Sequence, residues 1–246
     1  MELINHLVAH RGDHYQAPEN SLLAIQKALN SGALLFELDV QLTKDKVAIM
    51  LHDTNLVRTA GIKLDVFQTA AKTLYSQSIH EPDKFAKRYY PEYLASLKQV
   101  IDLFNSQNNN SKLKVFIEVK IESIENFGMS AVLKAINNEL IDAKFIAIII
   151  SYDYEFIQLA QQELLQVGWV NDDLNNQVLA MVKALKPDYM FCKAQALLDY
   201  AIKPEIWQWV GYTSNNLQQI LTLLRHGVNL VETNQFTRLI KKPTSE

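Results

Sequence analysis

A single cysteine among 246 residues excludes an internal disulfide. Cys192 lies in the apolar run Asp188-Tyr-Met-Phe-Cys-Lys193, where an inert buried thiol is expected rather than a nucleophile. A dominant charge sign is missing as well. With 24 Lys+Arg against 27 Asp+Glu, the formal net charge is -3 and the pI about 6.1, so no basic excess is present to hold nucleic acid or an anionic membrane. No apolar run reaches the length of a spanning helix, and the short stretch between Glu2 and His6 reads as already part of the first strand rather than a leader. A cytoplasmic protein without stable membrane insertion or a nucleic-acid partner is the expectation. Internal repeats, glycine-rich phosphate loops and low-complexity tails are lacking too, and residues 241–246 read as a solvated end.

What is present is a regular alternation. At 246 residues, 48% hydrophobic and 21% charged, the chain is large enough for one full α/β barrel or two small domains, and residues 1–246 are read as a single domain. Apolar, β-branched runs fall at 7–11, 34–40, 47–52, 114–120, 145–151, 166–170, 188–192, 207–213 and 228–233. Apolar residues at helical spacing fill 21–31, 94–105, 128–140, 154–163, 177–186 and 216–226. Strands separated by helices predict a parallel sheet with covering helices. The run 47–52 follows 34–40 too closely for a parallel crossover and is read as the returning arm of a hairpin. Removing it leaves eight strands, the count of a (β/α)8 TIM barrel. Residues 55–91 break the rhythm and are expected to form an insertion over the strand ends, while Gln107–Ser111 reads as a loop.

The chemistry-bearing residues interrupt these apolar runs. Leu7-Val-Ala-His10-Arg11-Gly12 ends the first, and Pro18-Glu19-Asn20-Ser21 opens a helix. Glu37 and Asp39 lie within the second strand, on one face by period-two alternation. Two like charges on one strand face call for a divalent cation with oxygen ligands. Val115-Phe-Ile-Glu118-Val-Lys120 repeats the pattern, so Glu118 completes an oxygen site and Lys120 points at an anion; a salt bridge of Glu118 or Glu37 with Lys120 is the plainer alternative. A two-residue hairpin loop, Lys44-Asp45 or Asp45-Lys46, sets His52 opposite Glu37 or Asp39, whereas a three-residue loop turns it to the other face.

Taken together, these residues resemble the glycerophosphodiester phosphodiesterase family, whose pattern runs His-Arg-Gly, Pro-Glu-Asn, Glu-x-Asp, His-Asp and Glu-x-Lys. All five stand here in order between His10 and Lys120. Ser151-Tyr152 and Tyr212-Thr-Ser-Asn215 are similar to two further strand ends of the family. Lys46 replaces the glycine usual after the hairpin aspartate, Val231-Glu-Thr-Asn234 replaces Ile-Thr-Asp, and Tyr152 and Tyr212 stand where Phe and Trp are typical. Membership implies a TIM barrel binding Ca²⁺ or Mg²⁺ that hydrolyses glycerophosphodiesters to sn-glycerol 3-phosphate and an alcohol. By the same resemblance, Glu37, Asp39 and Glu118 hold the metal, Arg11 and Lys120 clamp the phosphate, and His10 and His52 exchange protons. The substrate's own glycerol hydroxyl then attacks first, giving a cyclic phosphate that water opens.

Other residues carry weaker expectations. Glu19 and Asn20 are either helix caps or partners that orient Arg11 or His10. Tyr212 is expected to line the pocket, and Trp207 and Trp209 to pack in the core. His6, His14, His80 and His226 are read as surface or structural. Two rival functions keep the same centre: cleavage of lysophospholipids, with Tyr75, Phe85, Tyr89, Tyr90 and Tyr93 meeting lipid, or a barrel that binds phosphodiesters without turning them over.

Overall fold

Nine strands form one sheet in the computed structural model, which describes residues 2–241. They are β1 (Leu7–His10), β2 (Leu35–Leu42), β3 (Ala48–Met50), β4 (Lys114–Val119), β5 (Ile146–Ser151), β6 (Gln166–Val170), β7 (Tyr189–Lys193), β8 (Gln208–Tyr212) and β9 (Leu230–Thr233). All are parallel neighbours except β3, which returns antiparallel against β2; β1 pairs with both β9 and β2, closing an eight-stranded barrel. The expected (β/α)8 architecture, with a hairpin after its second strand, is the observed one. The expected solvated end, apart from Lys241, lies outside the described residues. No helix among those described is long and apolar enough to cross a membrane.

Alternation within the strands sorts residues between two cores. Val8, Leu35, Phe116, Ile148, Ile150, Val170, Tyr189, Phe191, Val210 and Leu230 point inward and plug the barrel. Their neighbours, among them Phe36, Leu38, Ile117 and Trp209, point outward beneath the helices. Cys192 is buried in this outer layer, and burial pushes its thiol up to about 12, in keeping with an inert role. Trp207 and Trp209 are core residues, as expected.

The six anticipated helices appear as Leu22–Asn30, Leu97–Asn105, Met129–Leu140, Tyr154–Gln162, Asn176–Leu185 and Leu217–Arg225. The second starts at Leu97 rather than 94 because Ser96 and Gln99 cap it reciprocally. Ile121–Phe127, Ala194–Asp199 and Phe236–Ile240 were not anticipated, being too short to display a helical period. Leu3–His6 is a 3₁₀ turn, not the beginning of β1.

The hairpin register departs from both expected versions. Val40 faces Met50, Gln41 faces Ile49 and Leu42 faces Ala48. That register needs a three-residue loop, Lys44-Asp45-Lys46, closed by Thr43 N–H to Val47 O (3.0 Å) and Lys46 N–H to Thr43 O (2.8 Å). Lys46 takes φ +58, the left-handed residue that follows a type I turn in such loops. Continued further, the ladder would set His52 opposite Leu38, away from the carboxylate face. It does not continue: β3 ends at Met50, Leu51 N–H donates to Asp39 O, and the Gln41 amide donates to His52 O. His52 therefore reaches the strand ends from a loop.

The insertion holds short helices Val57–Ala60, Ala71–Leu74 and Pro82–Phe85 around a small core of Leu56, Val66, Leu74 and Ile79 against Ile49, Leu51 and Leu94. It lies beside β3 and grips the segment after β1: Lys84 and Tyr89 donate to the carbonyls of His14 and Gln16. Tyr75 packs inward and Phe85 stacks edge-on with Tyr89, whereas Tyr90 and Tyr93 are exposed.

Candidate active site

The carboxyl-terminal strand ends open into a cavity of about 210 Å³ that contains His10, Arg11, His52, Glu118, Lys120 and Glu232 among its lining. Glu37 and Asp39 lie behind it, both buried on β2. Each Glu37, Asp39 and Glu118 contributes an oxygen lying within 4.8 Å of the other two. Hard divalent ions bind oxygen at about 2.0–2.6 Å, so ligand oxygens this close fit around one ion. Glu37 Oε1 and Asp39 Oδ1 are buried without a hydrogen-bond donor, the condition of atoms held ready for a cation.

The carboxylates do not share one electrostatic state. Burial, then the charge of Asp39, pushes Glu37 well above the usual carboxylate range, and the same two causes raise Glu118. Burial would raise Asp39 as well, but Arg11 and Lys120 overcome it and hold that carboxyl below its usual range. Arg11 Nε lies 2.9 Å from Asp39 Oδ2, and Lys120 Nζ lies 3.5 Å from Asp39 Oδ1 and 2.6 Å from Glu118 Oε1. The salt-bridge alternative for Glu118 and Lys120 is thus real geometry, but it leaves Glu37 unneutralised.

Local backbone places the arginine. Arg11 and Gly12 both have positive φ, and a Cβ on Gly12 would stand 2.6 Å from the Ala24 carbonyl carbon. Only glycine permits helix Leu22–Asn30 to approach this closely. Glu19 and Asn20 are not its caps; Ser21 is, accepting from Ala24 N–H at 3.0 Å. Glu19 instead accepts from Arg11 (3.0 Å) and from both terminal nitrogens of Arg58 (2.7 Å each), and these partners outweigh burial to bring it down to about 2. Asn20 donates to Asp39 Oδ2 at 2.8 Å and accepts from Asp39 N–H at 3.1 Å. Both residues thus hydrogen-bond the charged groups of the site.

The two histidines are held differently. His10 Nδ1 lies 2.7 Å from Asn234 Oδ1, which leaves Nε2 as the free nitrogen, 3.6 Å from Glu37 Oε2. Burial, with Arg11 beside it, lowers His10 to about 3, so the ring is neutral. His52 is more exposed and bonds through Nδ1 to Asp53 Oδ1 at 2.7 Å, while Asp53 accepts from Arg58 Nε at 2.8 Å. Across the cavity stand Ile150, Val170 and Phe191, with Tyr152 and Tyr212 at the rim, both donating to Asp172 (3.0 and 2.7 Å).

Several of these residues escape sequence reasoning. Arg58 comes from the insertion with no local pattern to mark it, and Asn234, just beyond β9, stands out only as a departure from the family's strand ending. His14, expected to be surface or structural, has its ring edge-on to His10 at 5.7 Å. Glu232 had a readable signal, a carboxylate inside the apolar run 228–233, but no like charge two residues away to single it out. His6 and His226 bond backbone carbonyls of Asn229 and Tyr200 and are structural.

Comparison with known proteins bears directly on this geometry. The model of the glycerophosphoryl diester phosphodiesterase family matches residues 10–237. The chain belongs to that family. In fold, a member from Thermotoga maritima superposes with a TM-score of 0.72 at 20% identity, covering 95% of this chain and 96% of the other. A phosphodiesterase of Oleispira antarctica, solved in complex with its product sn-glycerol 3-phosphate, superposes at 0.81 with 20% identity, covering 95% and 94%. Among curated relatives, the glycerophosphodiester phosphodiesterase of Caldanaerobacter subterraneus is 32% identical over 117 residues, 46% of this chain and 44% of that one. The Bacillus subtilis protein YqiK, uncharacterised, is 48% identical over 64 residues, 26% of each chain. The chain thus spans less than half the length of the curated relatives it matches.

Proposed function

We propose that the protein is a metal-dependent phosphodiesterase, residues 1–246 acting as one domain, that hydrolyses glycerophosphodiesters to sn-glycerol 3-phosphate and an alcohol. The observation that carries this reading is the convergence of three carboxylate oxygens within 4.8 Å of one another beside two histidines and two cations. A bound Ca²⁺ or Mg²⁺ would be held by Glu37, Asp39 and Glu118 and would supply charge neutralisation at a phosphate oxygen. Arg11 and Lys120 bind the remaining phosphate oxygens, Arg11 braced by Glu19 and Asp39. His10, neutral and with Nε2 free, takes the proton of the attacking hydroxyl. His52, whose Nδ1 is fixed by Asp53, delivers a proton to the leaving alcohol and reverses that role for water. Tyr212 lines the wall that meets the departing group.

Glycerophosphocholine turnover tests the reading. Activity with Mg²⁺ or Ca²⁺, abolished by EDTA and lowered about 10²–10⁴-fold in His52→Ala and in His10→Ala, is expected. Binding of the substrate without turnover under either metal would sink the enzyme and leave only the phosphodiester-binding barrel.

A further inference from the structure

Glu232 is the one acidic group of the cavity that the proposed chemistry leaves without work. It is 4% exposed, yet its carboxyl lines the cavity, and no hydrogen bond or ion pair among the described residues reaches it. It falls outside the trio of carboxylates close enough to share an ion. In β9 it lies one inward step above Leu230 of the barrel plug and opposite Val8, two residues before His10. Its position is therefore at the base of the charged side, directly above the barrel plug, with the apolar Ile150, Val170 and Phe191 across the cavity. A buried carboxyl with no donor on the protein is suited to a donor on the ligand.

The ligand's chemistry narrows the choice. In a glycerophosphodiester the hydroxyl next to the ester carbon lies within reach of phosphorus, where attack closes a five-membered ring. The terminal hydroxyl is one carbon farther and takes no part in the reaction. A cavity of about 210 Å³ suits the small glycerol end at its floor, with the variable alcohol toward the tyrosine rim. Carboxyl groups accept from sugar and polyol hydroxyls in just this manner, whether ionised or protonated.

We propose that Glu232 accepts a hydrogen bond from the free terminal hydroxyl of the glycerol and thereby selects deacylated glycerophosphodiesters over 1-acyl lysophospholipids. The assignment rests on the proposed phosphodiesterase activity and names its substrate class. An acylated terminal oxygen carries no proton, so the carboxyl would be left facing it without a donor. Sites built around a hydroxyl reject analogues lacking it by about 10⁴-fold or more.

The discriminating pair is glycerophosphocholine and its 1-O-methyl ether, which removes the donor without creating a micelle-forming lipid. With Mg²⁺, the native protein is expected to prefer the free hydroxyl by about 10³-fold or more in kcat/KM. Glu232→Leu should lose at least about 10²-fold on the free substrate and less than about threefold on the ether, so that the preference collapses; Glu232→Gln, which retains an acceptor, should keep part of it. Calorimetric binding of sn-glycerol 3-phosphate and its 1-O-methyl ether should show the same collapse without turnover, and thermal unfolding of both variants checks folding. If Glu232→Leu fails to fold, Glu232→Gln decides the case: an unchanged preference counts against the assignment. Turnover of both substrates alike by the native protein overturns the assignment and leaves the activity standing. Turnover of neither overturns both.

Discussion

The two sides of the barrel mouth are made of different material. Strands β1, β2, β4 and β9 deliver His10, Glu37, Asp39, Glu118 and Glu232, with Arg11 and Lys120 just past their ends, while β5 through β7 deliver Ile150, Val170 and Phe191. The insertion braces only the first side, through Arg58 to Glu19 and Asp53. Charged groups confined to one wall of a low-dielectric cavity fix where a phosphate sits and leave the other wall to shape what is attached to it. The charged side carries chemistry at the expense of stability, and the apolar side does the reverse.

Paired substitutions break this comparison most forcefully. Glu37→Gln should lower turnover about 10²–10³-fold. In EDTA its stability near neutral pH should equal or exceed that of the native protein. Glu37 is raised well above its unfolded value, so its stabilising contribution is lost as pH rises, and the amide removes that loss. Phe191→Ala should act oppositely. Its ring packs edge-on against Phe116 at 5.1 Å, and truncation should cost about 3–5 kcal/mol in chemical denaturation while turnover of the folded fraction stays within about tenfold. Loss of turnover without loss of stability in Phe191→Ala would erase the division.

The division also explains what could be read from the chain. Continuous apolar runs mark both sides, because strands buried on two faces must be apolar, and Glu37, Asp39 and Glu118 stand out against that background. On the apolar side the same regularity hides function: Ile150 and Phe191 line the cavity but look like any core residue. Residues that act through neighbours are the hardest to see, since Arg58 and Asn234 find Glu19, Asp53 and His10 only through the tertiary fold. The hairpin shows a third kind of gap. Loop length decides register by one residue, and Thr43-Lys-Asp-Lys46 does not announce a left-handed lysine, so the expected pairing of His52 failed although His52 reached the cavity.

A smaller effect sharpens the comparison through pH. Burial, reinforced by Lys84, lowers His14 to about 4, against about 6.5 for an unperturbed ring. Between those values the unfolded chain binds a proton that the folded one refuses, so stability is full above about pH 6.5 and falls as pH drops toward 4. His14→Gln should flatten that loss by about 2 kcal/mol in denaturation curves taken at pH 7.5 and 4.5. His10, lowered to about 3, contributes a loss of the same sign over this range. On the other side Asp172 is lowered as well, burial being outweighed by Lys193 and the two tyrosines, but its loss begins only below about pH 4, where an ordinary aspartate titrates, and so falls outside this window. An unaltered pH slope in His14→Gln would count against this account.

The smallest expected effect concerns the hairpin that brings His52 round. Lys46 is held at φ +58, a conformation that costs an ordinary residue about 1 kcal/mol relative to glycine. Its ammonium lies 6.0 Å from the Phe127 ring, a contact at the outer edge of cation–π range that offsets little. Lys46→Gly should therefore stabilise the protein by about 0.5–1 kcal/mol, raising Tm by about 1–4 °C for a chain of this size. Turnover should not change, because register depends on the three-residue count and on the Thr43–Val47 closure, neither of which the substitution alters. A fall in Tm would mean that the lysine side chain holds the turn. A fall in turnover at unchanged Tm would mean that the turn's conformation, and not only its length, sets where His52 stands.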